Sequence, residues 1–357
     1  MNTEMMLAEI VAGRRMTTAE FLYLYNKADL LSLGQAANQA RDGKLPDKIV
    51  TFIIDRNINY TNVCVCGCDF CAFYRDPEDV TAYTLSSQEI MARVDEAVVA
   101  GATQVMIQGG LNPALSLDFF LQLFSTIKES YPGLVVHSLT VPEIEFLARQ
   151  SHLLPREVLL QLKQSGLDSL PGGGAEVLSD RVRRVISPYK TSAAAWLEIM
   201  HTAHDIGIES TATMMMGSID TIKDRLAHLE KIRILQDETG GFRAFIAWTY
   251  QEAVPRLKRQ PVTSVEYLRF MALSRLYLDN FDHIQASWLT QGKRLGQLSL
   301  HFGADDMGSI MLEENVVKAA GTYNEITPSE MIDLIKQAGF IPAQRDSSYK
   351  RLRHFSK

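Results

Sequence analysis

Cysteine is scarce in this chain of 357 residues, and what there is lies in one place: all four cysteines fall at positions 64, 66, 68 and 71. A disulfide-framed scaffold, which needs paired cysteines spread along the chain, is therefore excluded. Long apolar runs are also missing. The best candidate, 97–107, is broken by Gly101, Thr103 and Gln104, far short of the roughly 20 residues needed to cross a bilayer. A membrane-spanning protein is not expected. The N-terminal stretch carries Glu4 and Glu9 where a secretory signal would place basic residues ahead of an apolar core, so the expected location is the cytoplasm. Nor is there an excess of positive charge: 36 basic residues against 42 acidic give a net charge of −6, which argues against a nucleic-acid-wrapping surface. With 46% hydrophobic and 22% charged residues, the composition is that of an ordinary globular protein, not of a disordered or fibrous one.

The chain alternates short β-rich runs with longer amphipathic ones. Thr17-x-x-Glu20 reads as a capping box opening a helical stretch to about residue 43, with Phe21, Leu24, Leu30, Leu31 and Leu33 on its apolar face. Strands are predicted near 57–63, 104–107, 135–138, 169–170, 210–215, 244–248, 284–287 and, most weakly patterned, 297–302. Helices are predicted over 86–99, 117–130, 193–206, 222–236 and 265–278. Repetition of strand and helix is the signature of parallel βα units. The expected fold is an α/β protein, a (β/α)8 TIM-type barrel over 51–305, flanked by an N-terminal helical cap (1–50) and a C-terminal helical extension with a basic tail (306–357). The tail from Tyr349 onward reads as solvated surface. A doubly wound open sheet is the competing architecture, but the glycine-rich dinucleotide fingerprint that would follow its first strand is absent.

In a βα barrel the active site forms where strand C-termini meet. The residues after successive predicted strands are the cysteines, then Gln108-Gly109-Gly110, His137-Ser138, Gly172-Gly173-Gly174-Ala175-Glu176, Thr213 to Gly217, Thr249-Tyr250-Gln251 and Ser287-Trp288. Zinc is one reading of the thiols. Structural zinc normally takes two ligand pairs separated by a loop, whereas here every thiol is in one short run. Three thiolates from a compact loop can instead hold three corners of a [4Fe–4S] cluster and leave the fourth iron open for chemistry.

The run Cys64-x3-Cys68-x2-Cys71, with Phe70 before the last cysteine and Phe73-Tyr74 after it, resembles the signature of the radical S-adenosylmethionine enzymes. That resemblance implies Cys64, Cys68 and Cys71 as cluster ligands and Cys66 as a spare thiol. It also implies S-adenosylmethionine on the open iron, cleaved by one electron to methionine and a 5′-deoxyadenosyl radical. Gln108, Gly109 and Gly110 would meet the methionyl amino group, Glu176 the ribose hydroxyls and Arg183 the methionyl carboxylate. Tyr74, just after the last cysteine, and Ser138 and Met215, at predicted strand ends, complete the candidate cofactor-binding set.

Over nearly its whole length the chain resembles the dehypoxanthinylfutalosine cyclase family of menaquinone biosynthesis, through the segments DRNINYTNVCVCGCDFCAFYR (55–75), QGGLNP (108–113), HSLTVPEI (137–144), SLPGGGAEVLSDRVRRVISP (169–188), ASWLTQG (286–292) and HFGADDMGSIMLEENV (301–316). This implies abstraction of the ribose C4′ hydrogen of dehypoxanthine futalosine, addition of the sugar radical to the benzoate ring, then oxidation and proton loss. It also implies an electron donor such as flavodoxin or ferredoxin. No side-chain base could remove such a C–H at neutral pH, so a cofactor radical must. His137, Tyr250, Asp305 and Asp306 are the candidate catalytic residues; Arg56, Arg75 and Lys293 are candidate cations for the benzoate carboxylate. Aminofutalosine synthase and the deazaflavin-forming synthases share several of the segments, and a non-catalytic zinc-binding protein is the alternative outside enzymes.

Overall fold

A computed structural model describes residues 2–251 and 262–355. Its strands are β1 (Ile49–Ile53), β2 (Asp55–Ile58), β3 (Gln104–Ile107), β4 (Val135–Ser138), β5 (Ser169–Leu170), β6 (Glu209–Met216), β7 (Phe242–Thr249), β8 (His283–Gln285), β9 (Asp306–Ser309), β10 (Ile341–Arg345) and β11 (Arg351–His354). They form one curled sheet in the order β11-β10-β1-β9-β8-β7-β6-β5-β4-β3-β2, parallel throughout except for the β10–β11 pair. β1 runs into β2 across Ile54 alone, and this bent strand brings the two ends of the sheet together. Its odd residues bond β9 and the chain beyond it, Ile310 N to Ile53 O at 2.9 Å and Leu312 N to Asp55 O at 3.1 Å. Its even residues bond β10 first and then the β3 side: Ile341 N to Lys48 O at 3.0 Å, Thr103 N to Ile54 O at 3.3 Å. The result is the parallel βα barrel of the sequence reading, with β10 and β11 wedged against its lower edge.

Helices cover the outside because their apolar stripes face the strands. Leu117–Ser130 buries Phe120, Leu123, Phe124 and Ile127; Ala193–Asp205 buries Trp196, Ile199 and Met200. The predicted N-terminal helix is two helices, Thr18–Lys27 and Leu30–Lys44. Ala28 adopts an extended conformation, and Asp29 caps the second helix by accepting from Ser32 N at 2.9 Å. Leu30–Lys44 packs on Ser264–Tyr277, and Gly34 allows a close approach: a Cβ there would stand 2.8 Å from the Phe302 ring.

Two expectations change. The strand predicted at 297–302 is instead the end of the helix Lys293–Ser299 and the turn after it, and the eighth barrel strand is β9, with the unpromising sequence DMGS. Asp306 is held there by Arg345, at 2.6 and 3.0 Å, and by Thr51 Oγ1 at 2.5 Å. The tail is also more than surface. Residues 351–354 form β11, and Tyr349 stacks on His283 with ring centroids 3.6 Å apart and beneath the Arg345 guanidinium at 3.9 Å. Among the described residues no helix is long and apolar enough to cross a membrane.

Candidate active site

Inside the barrel lies a cavity of about 430 Å³, within the usual range for small-molecule sites. Its upper end is built from loops that follow the strands. The loop after β2 carries all four cysteines, and each lines the cavity. Gly67, at φ +52°, reverses this loop. The turn brings the Cys66 thiol into hydrogen bonding with both Cys64 and Cys68, and that bonding is the main reason these two thiols are shifted below the ordinary value while Cys66 is shifted up. Burial raises Cys71. Cys66 Sγ also lies 3.7 Å from Tyr189 O.

The turn after β3 is clamped against this loop. A Cβ on Gly110 would stand 2.1 Å from Val63 O and 2.8 Å from Cys64 Cβ, and one on Gly109 would stand 2.9 Å from the Tyr60 ring. Buried Glu143 pins the same turn, accepting from Gly109 N at 3.1 Å and Tyr60 Oη at 2.6 Å while it caps its own helix through Thr140 N at 2.6 Å. Burial pushes the Glu143 carboxyl up. After β5, Gly172, Gly173 and Gly174 pass so close to Thr211, Thr140 and Pro142 that a Cβ on any of them would clash. Glu176 follows at φ +40°, an unusual conformation for a side chain of its size. Its Oε1 accepts from Lys190 Nζ at 2.8 Å, and its buried Oε2 has no hydrogen-bond partner among the described residues.

The structure brings together His137, Tyr74, Gln108, Gly109, Gly110, Glu176, Cys64, Cys68 and Cys71 around the cavity. It does not bring Ser138, Arg183, Met215, Tyr250, Asp305 or Asp306 there. Strand alternation separates His137 from Ser138, and Ser138 Oγ accepts from Ile107 N at 3.2 Å on the outer side. Arg183 is buried with its donors on main-chain carbonyls: Ala175 O at 2.6 Å, Gly174 O at 3.1 Å and Thr191 O at 3.0 Å. Its guanidinium shapes the turn that presents Glu176. Met215 and Tyr250 are buried outside the cavity wall. Asp305 binds Arg275 and His283, and Asp306 binds Arg345, so both carboxylates are committed to the barrel framework. Arg56 pairs with Glu96 and Glu313, Arg75 with carbonyls of its own loop, and Lys293 with Glu330. None of these three lines the cavity.

Sequence reasoning missed the polar floor. Asp55, Gln104, Arg243, Gln285, Arg345, Ser347 and Tyr349 line it; Asp55, Gln104 and Arg243 stand at the start of their strands, where a search of strand C-termini does not look, and Arg345, Ser347 and Tyr349 belong to the C-terminal segment beyond the predicted barrel. Gln104 links Asp55 Oδ2, at 2.8 Å, to Ser347 Oγ, at 2.7 Å. Arg243 approaches His137 Nδ1 at 3.2 Å, with Ser169 Oγ on the same nitrogen at 2.8 Å. Burial, reinforced by Arg243 and Arg345, holds His137 well below the usual histidine value, so the ring is neutral. A guanidinium only donates, which places the ring proton on Nε2. Lys190 is the second omission. It is mostly buried, 5.5 Å from the Phe70 ring centroid, and its charge favours the thiolate forms of Cys64, Cys68 and Cys71.

Residues 58–232 match the Radical SAM superfamily, and residues 239–357 match the CofH/MqnC C-terminal region. A cyclic dehypoxanthine futalosine synthase of Streptomyces coelicolor is 49% identical over 350 residues, covering 97% of this chain and 88% of that protein. An aminodeoxyfutalosine synthase of Thermus thermophilus is 39% identical over 352 residues, covering 97% and 94%. The crystal structure of methylornithine synthase superposes with a TM-score of 0.75 at 18% identity, over 94% of this chain and 97% of that one, a likeness of fold. The chain belongs to the radical S-adenosylmethionine superfamily, whose members use a [4Fe–4S] cluster and S-adenosylmethionine, and within it to the family that includes the cyclic dehypoxanthine futalosine synthases.

Proposed function

We propose that this protein is a cyclic dehypoxanthine futalosine synthase, acting in the cytoplasm with a flavodoxin- or ferredoxin-type electron donor. The observation that carries the reading is the near-full-length identity of 49% to the Streptomyces coelicolor synthase, against 39% to the aminodeoxyfutalosine synthase.

The donor set suits the cofactors. Three thiols at x3, x2 spacing open onto a cavity, beside glycine turns with no room for side chains. Every thiol stands in the one loop after β2, without the second ligand pair that a structural zinc site takes. Cys64, Cys68 and Cys71 would hold the cluster. Glu176, whose Oε2 has no hydrogen-bond donor and only the Arg183 guanidinium nearby at 3.5 Å, would accept from a ribose hydroxyl of S-adenosylmethionine, and the main chain at 108–110 would face its methionyl end. When bound, these cofactors supply the one-electron chemistry that an unactivated ribose C–H requires.

The remaining work falls to the cavity wall. Trp248, Trp288, Met106, Ile246 and Leu289 give it an apolar lining suited to an aryl ring and to excluding water and reductants. His137, with Nδ1 already contacted by Arg243 and its proton on Nε2, serves as a hydrogen-bond donor and not as the acceptor of the final proton.

Anaerobic incubation with dehypoxanthine futalosine deuterated at C4′ tests the proposal. The expected product is lighter than the substrate by one deuterium and one hydrogen, with the deuterium recovered in 5′-deoxyadenosine. Turnover of an enolpyruvyl benzoate instead would establish the aminofutalosine synthase reading, and unlabelled deoxyadenosine would refute the abstraction site.

A further inference from the structure

The cavity floor holds a positive charge with no carboxylate partner. Arg243 is the second residue of β7, roughly 16 Å along the strand from Trp248 near the cysteine end. Its Nη1 donates to Ser347, to the carbonyl at 2.8 Å and to Oγ at 2.5 Å, and its Nη2 to His137 Nδ1 at 3.2 Å. All these acceptors are neutral. Nε is buried with no acceptor among the described residues, and no carboxylate lies within ion-pairing distance of the guanidinium among them.

Its neighbours do not ion-pair with it: Glu209 and Asp168 act on it only from beyond ion-pairing distance. Arg345 and Asp306 form a closed bidentate pair, at 2.6 and 3.0 Å. Asp55 spends its oxygens on Gln104 and Ser309 and does not reach Arg243. His137 is neutral. Arg243 is therefore left without an ion-paired carboxylate among the described residues, at the floor of a largely apolar chamber. A largely enclosed guanidinium with an unused donor and no ion-paired carboxylate suits a state in which an anion enters.

We infer that Arg243, with His137 beside it, is the binding site for the single carboxylate of an aryl carboxylate substrate. Resting on the proposed function, this assigns the benzoate carboxylate to the floor and leaves the rest of the substrate extending towards the cysteine loop. It also assigns a purpose to the C-terminal part of the chain. Arg243, Arg345, Ser347 and Tyr349 all lie within the 239–357 region that matches the CofH/MqnC C-terminal family. Tyr349, stacked on His283 and Arg345, closes the floor from below.

Benzoate and benzamide are the probes, because they differ only in the charge and donor pattern of one group. Binding to wild type, Arg243→Gln and Arg243→Lys is followed by ligand-observed NMR, with S-adenosylmethionine binding and thermal melting as checks on the fold. Wild type should prefer benzoate. Loss of a charge-assisted hydrogen bond predicts benzoate binding weakened roughly 10- to 100-fold in Arg243→Gln, with benzamide binding unchanged. Arg243→Lys should recover part of the affinity, since it keeps the charge but loses the fork. Equal binding of benzoate and benzamide to wild type, or Arg243-independent binding of benzoate, overturns the assignment. Failure of the functional reading looks different: benzoate would still bind through Arg243 while dehypoxanthine futalosine was not cyclised. Conversely, Arg243→Gln turning over dehypoxanthine futalosine with wild-type KM would remove the subsite and leave the function standing.

Discussion

Lys190 Nζ stands 2.8 Å from Glu176 Oε1 directly beside the cysteine loop, and this ion pair joins the proposed S-adenosylmethionine end of the cavity to the cluster end. The Glu176 side chain is 5% exposed and its other oxygen has only Arg183 nearby, at 3.5 Å. Replacing Lys190 by Met should strand the carboxylate and cost about 2–3 kcal/mol, below the full value for a broken buried pair because Arg183 remains. The double variant Lys190→Met/Glu176→Gln, with both charges gone, should recover most of that loss. Urea unfolding of the three proteins measures the coupling, and additive losses would show that the pair contributes nothing.

The second prediction concerns which thiols bind iron. Cys66 is hydrogen-bonded between Cys64 and Cys68, yet it falls outside the x3, x2 spacing. Cys66→Ser should retain iron after anaerobic reconstitution, while serine at 64, 68 or 71 should each lower iron content and the broad visible absorbance together. Iron retained by a Cys64, Cys68 or Cys71 variant but lost by Cys66→Ser would reassign the ligand set.

Much of this was legible in the sequence, for a physical reason: βα units announce themselves by their alternating periods, and three thiols in one loop admit few chemistries. The strands at 104–107, 135–138 and 169–170 fall where the pattern puts them. β9 did not announce itself, because DMGS has no β-branched residue; it is a strand because Asp306 is drawn in by Arg345, which lies 39 residues on. Arg183 was a natural candidate for a ligand carboxylate, but a sequence cannot show that the carbonyls of Gly174, Ala175 and Thr191 occupy its donors. Arg243 escaped notice for the opposite reason. It stands at the start of its strand, in a position that becomes part of the site only because the barrel is hollow to its floor.

Histidines with lowered values contribute to the loss of stability in acid. Burial lowers His204 to about 4 and His228 to about 3, and His137 well below its usual value. A histidine depressed in the folded state is protonated first in the unfolded chain, so its contribution is complete above about pH 6.5 and is lost as pH falls towards the folded value. Each should add a slope approaching 1.4 kcal/mol per pH unit in that window. Buried Asp55, Glu143 and Glu314, all shifted upward, oppose this at the acid end, so a difference measurement isolates one group. His228 Nδ1 accepts from Leu178 N at 3.0 Å, a bond that Asn can still make. Urea unfolding of wild type and His228→Asn between pH 7.5 and 4.5 should give curves that converge as pH falls. Parallel curves would mean that His228 titrates normally.

Gly110 offers the sharpest separation between folding the barrel and building the site. A Cβ at this position would lie 2.1 Å from Val63 O, 2.7 Å from Val63 C and 2.8 Å from Cys64 Cβ, contacts that no side-chain adjustment relieves because two of the three atoms are main chain. The loop after β2 must move away, and Cys64 is on it. Val65 N, bonded to Leu111 O at 3.1 Å across the same contact, would lose its partner. The strands themselves do not depend on this turn, since β3 is registered to β2 and β4 by residues 104–107. Gly110→Ala should therefore fold, with far-ultraviolet circular dichroism and a cooperative melt close to wild type, while failing to retain iron on reconstitution. Gly133→Ala, where nothing lies within 4 Å of the added carbon, is the matched control and should load normally. Full iron occupancy in Gly110→Ala would show that the cysteine loop does not need this close approach to receive its cluster.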